Sequence, residues 1–335
     1  MNKYGVNYLF KILQSKILLA LSVAFLYSCN ENKITESIAD STTIVTKTEQ
    51  TVIPVGKGPD ALFLTPNKSF LYVANVEDTL VSIISTKTEK VVQIIPGIIN
   101  PWGFTRIAHS NNIAISTYDK QLVIVDFTSH KIIDKKNFNT HLGGITSDRN
   151  GRYIFVVSID NNRVFQLDAN SLDLIKPIYT GKGPDGVGIS GDESTLFVTN
   201  TEDGTISVVD IISNDQKVIN TGGKPELIHS NRDNSLLYVS NFLKNKIHII
   251  DTERKEIIKE IENISTPEEA VLSADEKLLY VVSFELSEIS VYDALTLEKL
   301  PITYKTGKNP IGVIPYRKKL YVSNYGDNSI SIINK

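Results

Sequence analysis

Four acidic residues occupy one recurring position of the sequence, directly after a proline, and their carboxylates could bind a hard cation. They are Asp60, Asp185, Glu226 and Glu268. Carboxylate oxygens are the ligands that calcium accepts. Equivalent positions of separate repeating units can lie too far apart to share one ion, however, and acids on loops are commonly only solvated. We therefore predict cation or polar contacts for these four residues, without a defined metal site or a cofactor.

Large side chains interrupt the same pattern and are candidates for ligand contact. Trp102, the only tryptophan, follows Pro101 at the position where other repeats carry an acid. Further candidates lie in predicted loops: Tyr118, Arg163, Phe242, Phe284 and Tyr325. Exposed aromatic side chains mark recognition surfaces because they bury large areas on binding. The alternative is that they pack against neighbouring loops.

Histidine is the most frequent general base in enzymes, and no two of the five histidines have HExxH spacing. We expect only His141, in a predicted loop, to have a functional role. No nucleophile elbow, P-loop or Ser-His-Asp order can be identified. A hydrolase would need a base that activates water and an electrophile, and His141, Arg163 and Glu226 are the residue types available.

A short apolar strand, repeated evenly along the chain, must position these residues. Its copies begin at Leu71 (LYVAN), Ile113 (IAIST), Ile154 (IFVVS), Leu196 (LFVTN), Leu237 (LYVSN), Leu279 (LYVVS) and Leu320 (LYVSN). The intervals alternate between 42 and 41 residues, which is a period typical of four-stranded propeller blades. We predict an all-β fold over residues 49–335: a seven-bladed β-propeller of four-stranded antiparallel blades.

The repeat over residues 184 to 223 shows how one blade is built. We predict its strands at 186–189, 196–200, 205–210 and 216–220. Apolar residues lie on both faces of the second strand, as expected for a sheet covered on both sides. Five third strands end in an aspartate that we interpret as a turn former, because it can accept hydrogen bonds from the backbone amides that follow: Asp126, Asp168, Asp210, Asp251 and Asp293.

The connections of the predicted propeller gather the candidate residues at one end. Loops that enter each innermost strand lie there together with loops that join the second strand to the third. Proline precedes the innermost strand in six repeats, and Leu142 replaces it in the third. The seventh repeat lacks a fourth strand, so we predict that residues 50–55 pair beside residues 330–333 and that one blade joins both chain ends.

The N-terminal residues have the features of an export signal. Lys11 and Lys16 precede ten largely apolar residues, whereas a membrane-spanning helix needs roughly 20. The following Leu-Tyr-Ser-Cys resembles the lipobox of bacterial lipoproteins. We predict a signal peptide over 1–28, lipid attachment at Cys29 and a flexible tether over 29–48. The alternative is a lone thiol in an ordinary signal peptide.

Charge excludes nucleic acid as a predicted partner. The chain has 35 basic and 38 acidic residues, and removal of residues 1–28 with their three lysines changes the formal charge from -3 to -6. A mildly acidic surface repels phosphate unless basic residues cluster, and no such cluster is visible. We expect a monomeric domain in the bacterial cell envelope, held at the outer membrane by its lipid and either periplasmic or surface-exposed.

The repeated strands resemble those of the YVTN-repeat β-propellers, with LYVAN, LFVTN and LYVSN followed by strands such as TISVVD, over residues 50–335. That family includes surface-layer proteins, lactonase-like enzymes, haem-binding proteins and ligand-capturing lipoproteins. With the lipobox, the chain looks most like outer-membrane lipoproteins that capture cobalamin or siderophores for TonB-dependent transporters. The resemblance implies a binding protein for a small molecule or a transporter, with a lactonase-like hydrolase and a structural surface protein as alternatives.

Overall fold

The structure, a computed structural model, describes residues 44–45 and 49–335. The predicted signal peptide, Cys29 and most of the predicted tether lie outside these residues. No helix among the described residues is long and apolar enough to cross a membrane.

The described chain folds into seven sheets, each built on four antiparallel strands, and one of the sheets has a short fifth strand at its edge. Two strands precede the first complete blade: β1 (Ile44–Val45) and β2 (Gln50–Pro54). Blade 1 contains β3 (Pro59–Leu64), β4 (Phe70–Asn75), β5 (Leu80–Ser85) and β6 (Lys90–Pro96). Blade 2 contains β7 (Pro101–Arg106), β8 (Asn112–Thr117), β9 (Gln121–Asp126) and β10 (Lys131–Asn137). Blade 3 contains β11 (Leu142–Ser147), β12 (Tyr153–Ser158), β13 (Arg163–Asp168) and β14 (Leu174–Tyr179).

The second half of the chain continues the same order. Blade 4 contains β15 (Pro184–Ile189), β16 (Thr195–Asn200), β17 (Thr205–Asp210) and β18 (Gln216–Asn220). Blade 5 contains β19 (Pro225–Ser230), β20 (Leu236–Asn241), β21 (Lys246–Asp251) and β22 (Glu256–Ile261). Blade 6 contains β23 (Pro267–Leu272), β24 (Leu278–Ser283), β25 (Glu288–Asp293) and β26 (Lys299–Lys305). Blade 7 contains β27 (Pro310–Tyr316), β28 (Lys319–Asn324), β29 (Ser329–Asn334) and the early strand β2.

The seven blades form a closed ring, which confirms the predicted seven-bladed β-propeller. Each innermost strand contacts the next one around the axis, and β27 contacts β3. The core lies between blades, as shown by a cluster in which Tyr72 of blade 1 packs with Ile113 and Val123 of blade 2. Every residue of β16 is buried. Both faces of the blade are therefore covered, as the apolar pattern predicts.

Strand β2 closes the ring beside the strand predicted for it. Strand β2 pairs antiparallel with β29, with Gln50 opposite Ile333 and Ile53 opposite Ile330. Blade 7 therefore combines the early strand β2 with the last three strands of the chain, and β29 is paired on both sides. Residues 44–45, which the sequence analysis assigns to the tether, form β1 and pair in parallel with β26.

The aspartates at the ends of the third strands act as predicted. In blade 4, Asp210 Oδ1 accepts from the amides of Ile212 and Ser213 at 2.9 and 2.8 Å. The same pair of bonds forms in the other four blades that carry the aspartate. Hydrogen bonds from these backbone amides lower the pKa of Asp210, which keeps it ionised as an acceptor.

Every innermost strand contains a β-bulge near its first residue. The pairing with the second strand shifts register after that residue in all seven blades. The six prolines that we placed in the entering loop are the first residues of these strands, where a missing N–H is tolerated. Bulges redirect side chains and are frequent beside functional sites.

Candidate functional site

Hydrogen bonds bring the two sets of candidate loops together at one end of the ring, which we call the loop face. The amide of Phe242, after the second strand of blade 5, donates to the carbonyl of Lys224, which enters that blade. The amide of Tyr325 donates in the same way to Asn309 in blade 7. The five candidates that follow the first residue of an innermost strand lie in its bulge: Asp60, Trp102, Asp185, Glu226 and Glu268.

Hydroxyl groups of the second strands hold these bulges in place. Thr199 Oγ1 accepts from Gly186 N at 2.8 Å and donates to the carbonyl of Glu226 on the next blade at 2.6 Å. Ser323 Oγ makes the equivalent bonds, accepting from Gly312 N at 2.8 Å and donating to the carbonyl of Asp60 at 2.6 Å. One hydroxyl therefore fixes the bulge of its own blade and the backbone of the following one.

Blades 2 and 3 bring together four residues that we call the tryptophan cluster: Trp102, Tyr118, His141 and Asp160. The rings of Trp102 and Tyr118 are 5.8 Å apart between centroids. The rings of Tyr118 and His141 are stacked, 4.2 Å apart and 25° from parallel. Tyr118 is buried, whereas Trp102 and His141 are half-buried and reach the surface. Three of the predicted site residues are thus in one contiguous group.

Asp160 holds His141 through two hydrogen bonds. His141 Nδ1 donates to Asp160 Oδ1 at 2.8 Å, and the His141 amide donates to Oδ2 at 3.0 Å. Burial opposes ionisation of Asp160, but these bonds outweigh it and lower the pKa of the carboxyl group. An ionised carboxylate only accepts hydrogen bonds, so the proton lies on Nδ1 and the neutral ring keeps a lone pair on Nε2.

Blades 5 to 7 carry a second aromatic group in which Phe242, Phe284 and Ile311 are buried and Leu227 and Tyr325 pack partly buried. The rings of Phe242 and Phe284 are 6.1 Å apart and meet edge to face. We expected exposed loop aromatics, and the structure corrects this for Phe242, Phe284 and Tyr118. They are buried because partners from adjoining blades cover them.

The four predicted acids differ in their surroundings. Glu226 and Glu268 are 3% and 1% exposed, whereas Asp60 and Asp185 are half-buried. Glu226 Oε1 pairs with Lys224 Nζ at 2.5 Å. Within residues 49–335, no three His, Cys, Asp or Glu side chains come together in an arrangement that could hold a metal ion.

The remaining candidates have structural partners of their own. The guanidinium of Arg163 lies 5.0 Å from the ring centroid of Tyr179, on the outermost strand of blade 3. The hydroxyl of Tyr325 donates to Glu77 Oε1, which joins blade 7 to blade 1. Arg163 therefore extends towards the outer edge of its blade, and Tyr325 spans a blade boundary.

Sequence analysis did not select Asp160 or the pair formed by His229 and Glu269. Asp160 has no distinguishing signal in the sequence. Acids in the loops between second and third strands, such as Asp203, accept hydrogen bonds from backbone amides of the entering loop in other blades as well. Glu269 could have been selected from the sequence, because it departs from the repeat. Four other blades carry glycine at its position: Gly103, Gly144, Gly186 and Gly312.

Two solved structures share this architecture. Hydrazine synthase of Kuenenia stuttgartiensis matches with a TM-score of 0.71 and 19% identity, over 89% of this chain and 99% of that one. The Cps50 (Swd1) β-propeller domain of Myceliophteria thermophila matches with a TM-score of 0.72 and 11% identity, over 85% of this chain and 98% of that one. At these identities the likeness shows the fold alone. No family model and no curated protein matches the sequence, so membership of the YVTN-repeat family stays a prediction.

Proposed function

We propose that the protein is a lipid-anchored binding protein of the bacterial envelope. Its loop face would take up a small molecule such as cobalamin or a siderophore, or contact an outer-membrane transporter. The observation that carries this proposal is the tryptophan cluster, in which side chains that break the repeat are contiguous and partly accessible. A rigid ring with irregular residues at one rim is a suitable scaffold for binding.

The physical properties of the cluster favour binding of a ligand with a flat or apolar surface. Trp102 is half-buried, and its ring packs near Tyr118, which stacks on His141. Aromatic side chains, tryptophan above all, contribute much of the binding energy at recognition surfaces. The bulges that carry Trp102, Asp185 and Glu226 are each held by a hydrogen bond from a backbone amide to a hydroxyl group of the second strand. A site that is rigid before the ligand arrives loses less entropy on binding.

A hydrolase is the second candidate, and the geometry of His141 is the observation that favours it. A histidine whose Nδ1 donates to a carboxylate can accept a proton from water at Nε2. Arg163 and Glu226, the other two residues available for this chemistry, contact Tyr179 and Lys224 respectively. The electrophile that a lactonase-like reaction requires would therefore have to come from other residues.

Native mass spectrometry of the purified full-length protein tests the proposed function. The protein would be incubated with cyanocobalamin, ferric siderophores and hemin in turn, and its mass compared with that of Trp102→Ala. We expect at least one ligand to be retained by the wild-type protein and lost from the variant. Turnover of a lactone that depends on His141 would support the hydrolase instead. The absence of both results would favour a protein partner, such as an outer-membrane transporter, over a small-molecule ligand.

A further inference from the structure

In blade 5 a histidine occupies a position where other blades have a serine that binds a recurring asparagine. The asparagine ends the second strand of blades 1, 4 and 7, and its Nδ2 donates to a serine hydroxyl of the third strand. In blade 4, for example, Asn200 Nδ2 lies 3.0 Å from Ser207 Oγ. In blade 5, Asn241 Nδ2 lies 3.2 Å from Nε2 of His248 instead. A titratable group therefore replaces a hydroxyl at this one place.

Asn241 connects His248 to both loops of blade 5 at the loop face. Its Oδ1 accepts from the amide of Lys224, in the entering loop, at 2.9 Å. The same atom accepts from the amide of Lys244, in the loop between the second and third strands, at 3.2 Å. Its Nδ2 donates to the carbonyl of Gly222 at 2.9 Å. These bonds fix the orientation of the side-chain amide, so that Nδ2 and not Oδ1 faces the imidazole.

The hydrogen bonds of His248 require a neutral ring. Its Nδ1 lies 2.7 Å from Glu260 Oε1 on the outermost strand, and Lys246 Nζ lies 2.8 Å from Oε2 of the same carboxylate. The bond from Lys246 lowers the pKa of Glu260, which is therefore ionised and accepts the Nδ1 proton. Nε2 keeps its lone pair and accepts from Asn241. The side chain of His248 is only 2% exposed, and burial lowers its pKa below the usual 6.5.

The surroundings of His248 offer no second acceptor for a proton on Nε2. The charge of Glu260 favours protonation of the ring, and the charge of Lys246 opposes it together with burial. On its other side the ring faces blade 4, because it lies opposite Val239 in the β20–β21 pairing and Val239 packs with apolar side chains of β17. A proton on Nε2 would therefore point at the NH₂ group of Asn241, and two donors would meet.

We propose that His248 makes the blade 5 part of the loop face sensitive to acid. When the pH falls, a proton from solvent binds Nε2 and ends the hydrogen bond with Asn241, while the proton on Nδ1 stays in place. Asn241 can then no longer hold both loops, which carry Phe242 and Lys224, the ion-pair partner of Glu226. This inference rests on the proposed function, because it names a regulation of the same face: a ligand or partner that contacts blade 5 would be released at acidic pH.

Hydrogen exchange measured by mass spectrometry on the full-length protein, at about pH 5 and about pH 7.5, tests this inference without a ligand. We compare the wild-type protein with His248→Ser, which introduces the serine of blades 1, 4 and 7 and keeps an acceptor for Asn241. Peptides over residues 222–226 and 241–245 report on the two loops. Peptides over 306–310 and 324–328 are the internal control, because in blade 7 Asn324 holds the amide of Gly307 and bonds to a serine.

After correction for the intrinsic effect of pH on exchange, protection of the blade 5 loops in the wild-type protein should fall about 3- to 10-fold at the lower pH, which corresponds to about one hydrogen bond. The blade 7 loops, and the blade 5 loops of His248→Ser, should change by no more than about twofold. An equal fall in His248→Ser, or no fall in the wild-type protein, would overturn the inference.

A second variant, Glu260→Gln, keeps an acceptor for Nδ1 but removes the charge that favours the proton on His248. The pH at which the blade 5 loops lose protection should therefore move to a lower value, and an unchanged midpoint would also contradict the inference. Circular dichroism and melting temperature establish that each variant is folded. Because exchange is measured without a ligand, failure here leaves the proposed function intact, and native mass spectrometry tests that function separately.

Discussion

Glu269 joins three blades through one carboxylate. Its Oε1 accepts from His229 Nε2 of blade 5 at 3.0 Å, and its Oε2 accepts from the amide of Val313 in blade 7 at 2.7 Å. Desolvation opposes protonation of His229, but the charge and hydrogen bond of Glu269 outweigh it and raise the pKa of the imidazole. The protonated pair should therefore stabilise the contact between blades 5 and 6.

This pair predicts a dependence of stability on pH. Because the folded-state pKa of His229 is raised, its contribution is fully present below the unfolded value of about 6.5 and is lost as the pH rises through the folded value. Glu269→Gln keeps an acceptor for Val313 but removes the charge. Urea unfolding of both proteins between pH 5 and pH 9 should show the largest difference at the acidic end. A difference that does not change with pH would mean that His229 titrates independently of Glu269.

At the scale of elements, the innermost strands approach one another so closely that glycine is required in some bulges. A Cβ atom on Gly186 would lie 2.4 Å from the carbonyl oxygen of Glu226 in the next blade. On Gly103 the nearest atom would be Ser116 Oγ, at 3.1 Å. The atom near Gly186 belongs to the backbone, which cannot rotate away. The atom near Gly103 belongs to a side chain, which can change its rotamer.

Alanine substitutions at these two glycines should therefore have unequal effects. Gly186→Ala should destabilise the protein by about 1–3 kcal/mol, the usual cost of overpacking, and Gly103→Ala by less. The free energy of unfolding in urea measures both. Equal effects would indicate that the blades can shift apart at Gly186 without cost.

Because β2 closes the ring, its buried and exposed side chains should contribute unequally to stability. Ile53 is 6% exposed and packs in the core cluster with Leu71 and Ile330, whereas its neighbour Val52 is 56% exposed. Ile53→Ala should lower the free energy of unfolding by about 2–5 kcal/mol, and Val52→Ala by about 0.5 kcal/mol or less. Similar small losses in both variants would show that β2 contributes little to closure.

At the scale of the whole molecule, the regular part of the structure could be predicted because every repeat has the same pattern of apolar strands and turn residues. The alternation of 42 and 41 residues predicted the number of blades, and the missing fourth strand of the last repeat predicted the closure by β2. In blade 4 the third and fourth strands begin and end as predicted, while the first begins earlier, at Pro184.

The irregular part could not be predicted in the same way, because it depends on side chains that meet across blades. Phe242 is buried by Phe284, which belongs to the next repeat. Asp160 is one of several acids, in the loops between second and third strands, that accept hydrogen bonds from the entering loop. Only the imidazole of His141 gives Asp160 a second hydrogen-bond partner. Such contacts arise from the ring as a whole and have no signature within one repeat.

The central claim, that ligands bind at the tryptophan cluster, can be measured directly because Trp102 is the only tryptophan of the chain. Its fluorescence lifetime reports on this site alone, and the lifetime can be followed while cyanocobalamin, a ferric siderophore or hemin is added to the full-length protein. The account predicts a saturable change in lifetime with the ligand that native mass spectrometry shows to be retained. A retained ligand that leaves the Trp102 lifetime unchanged would contradict it.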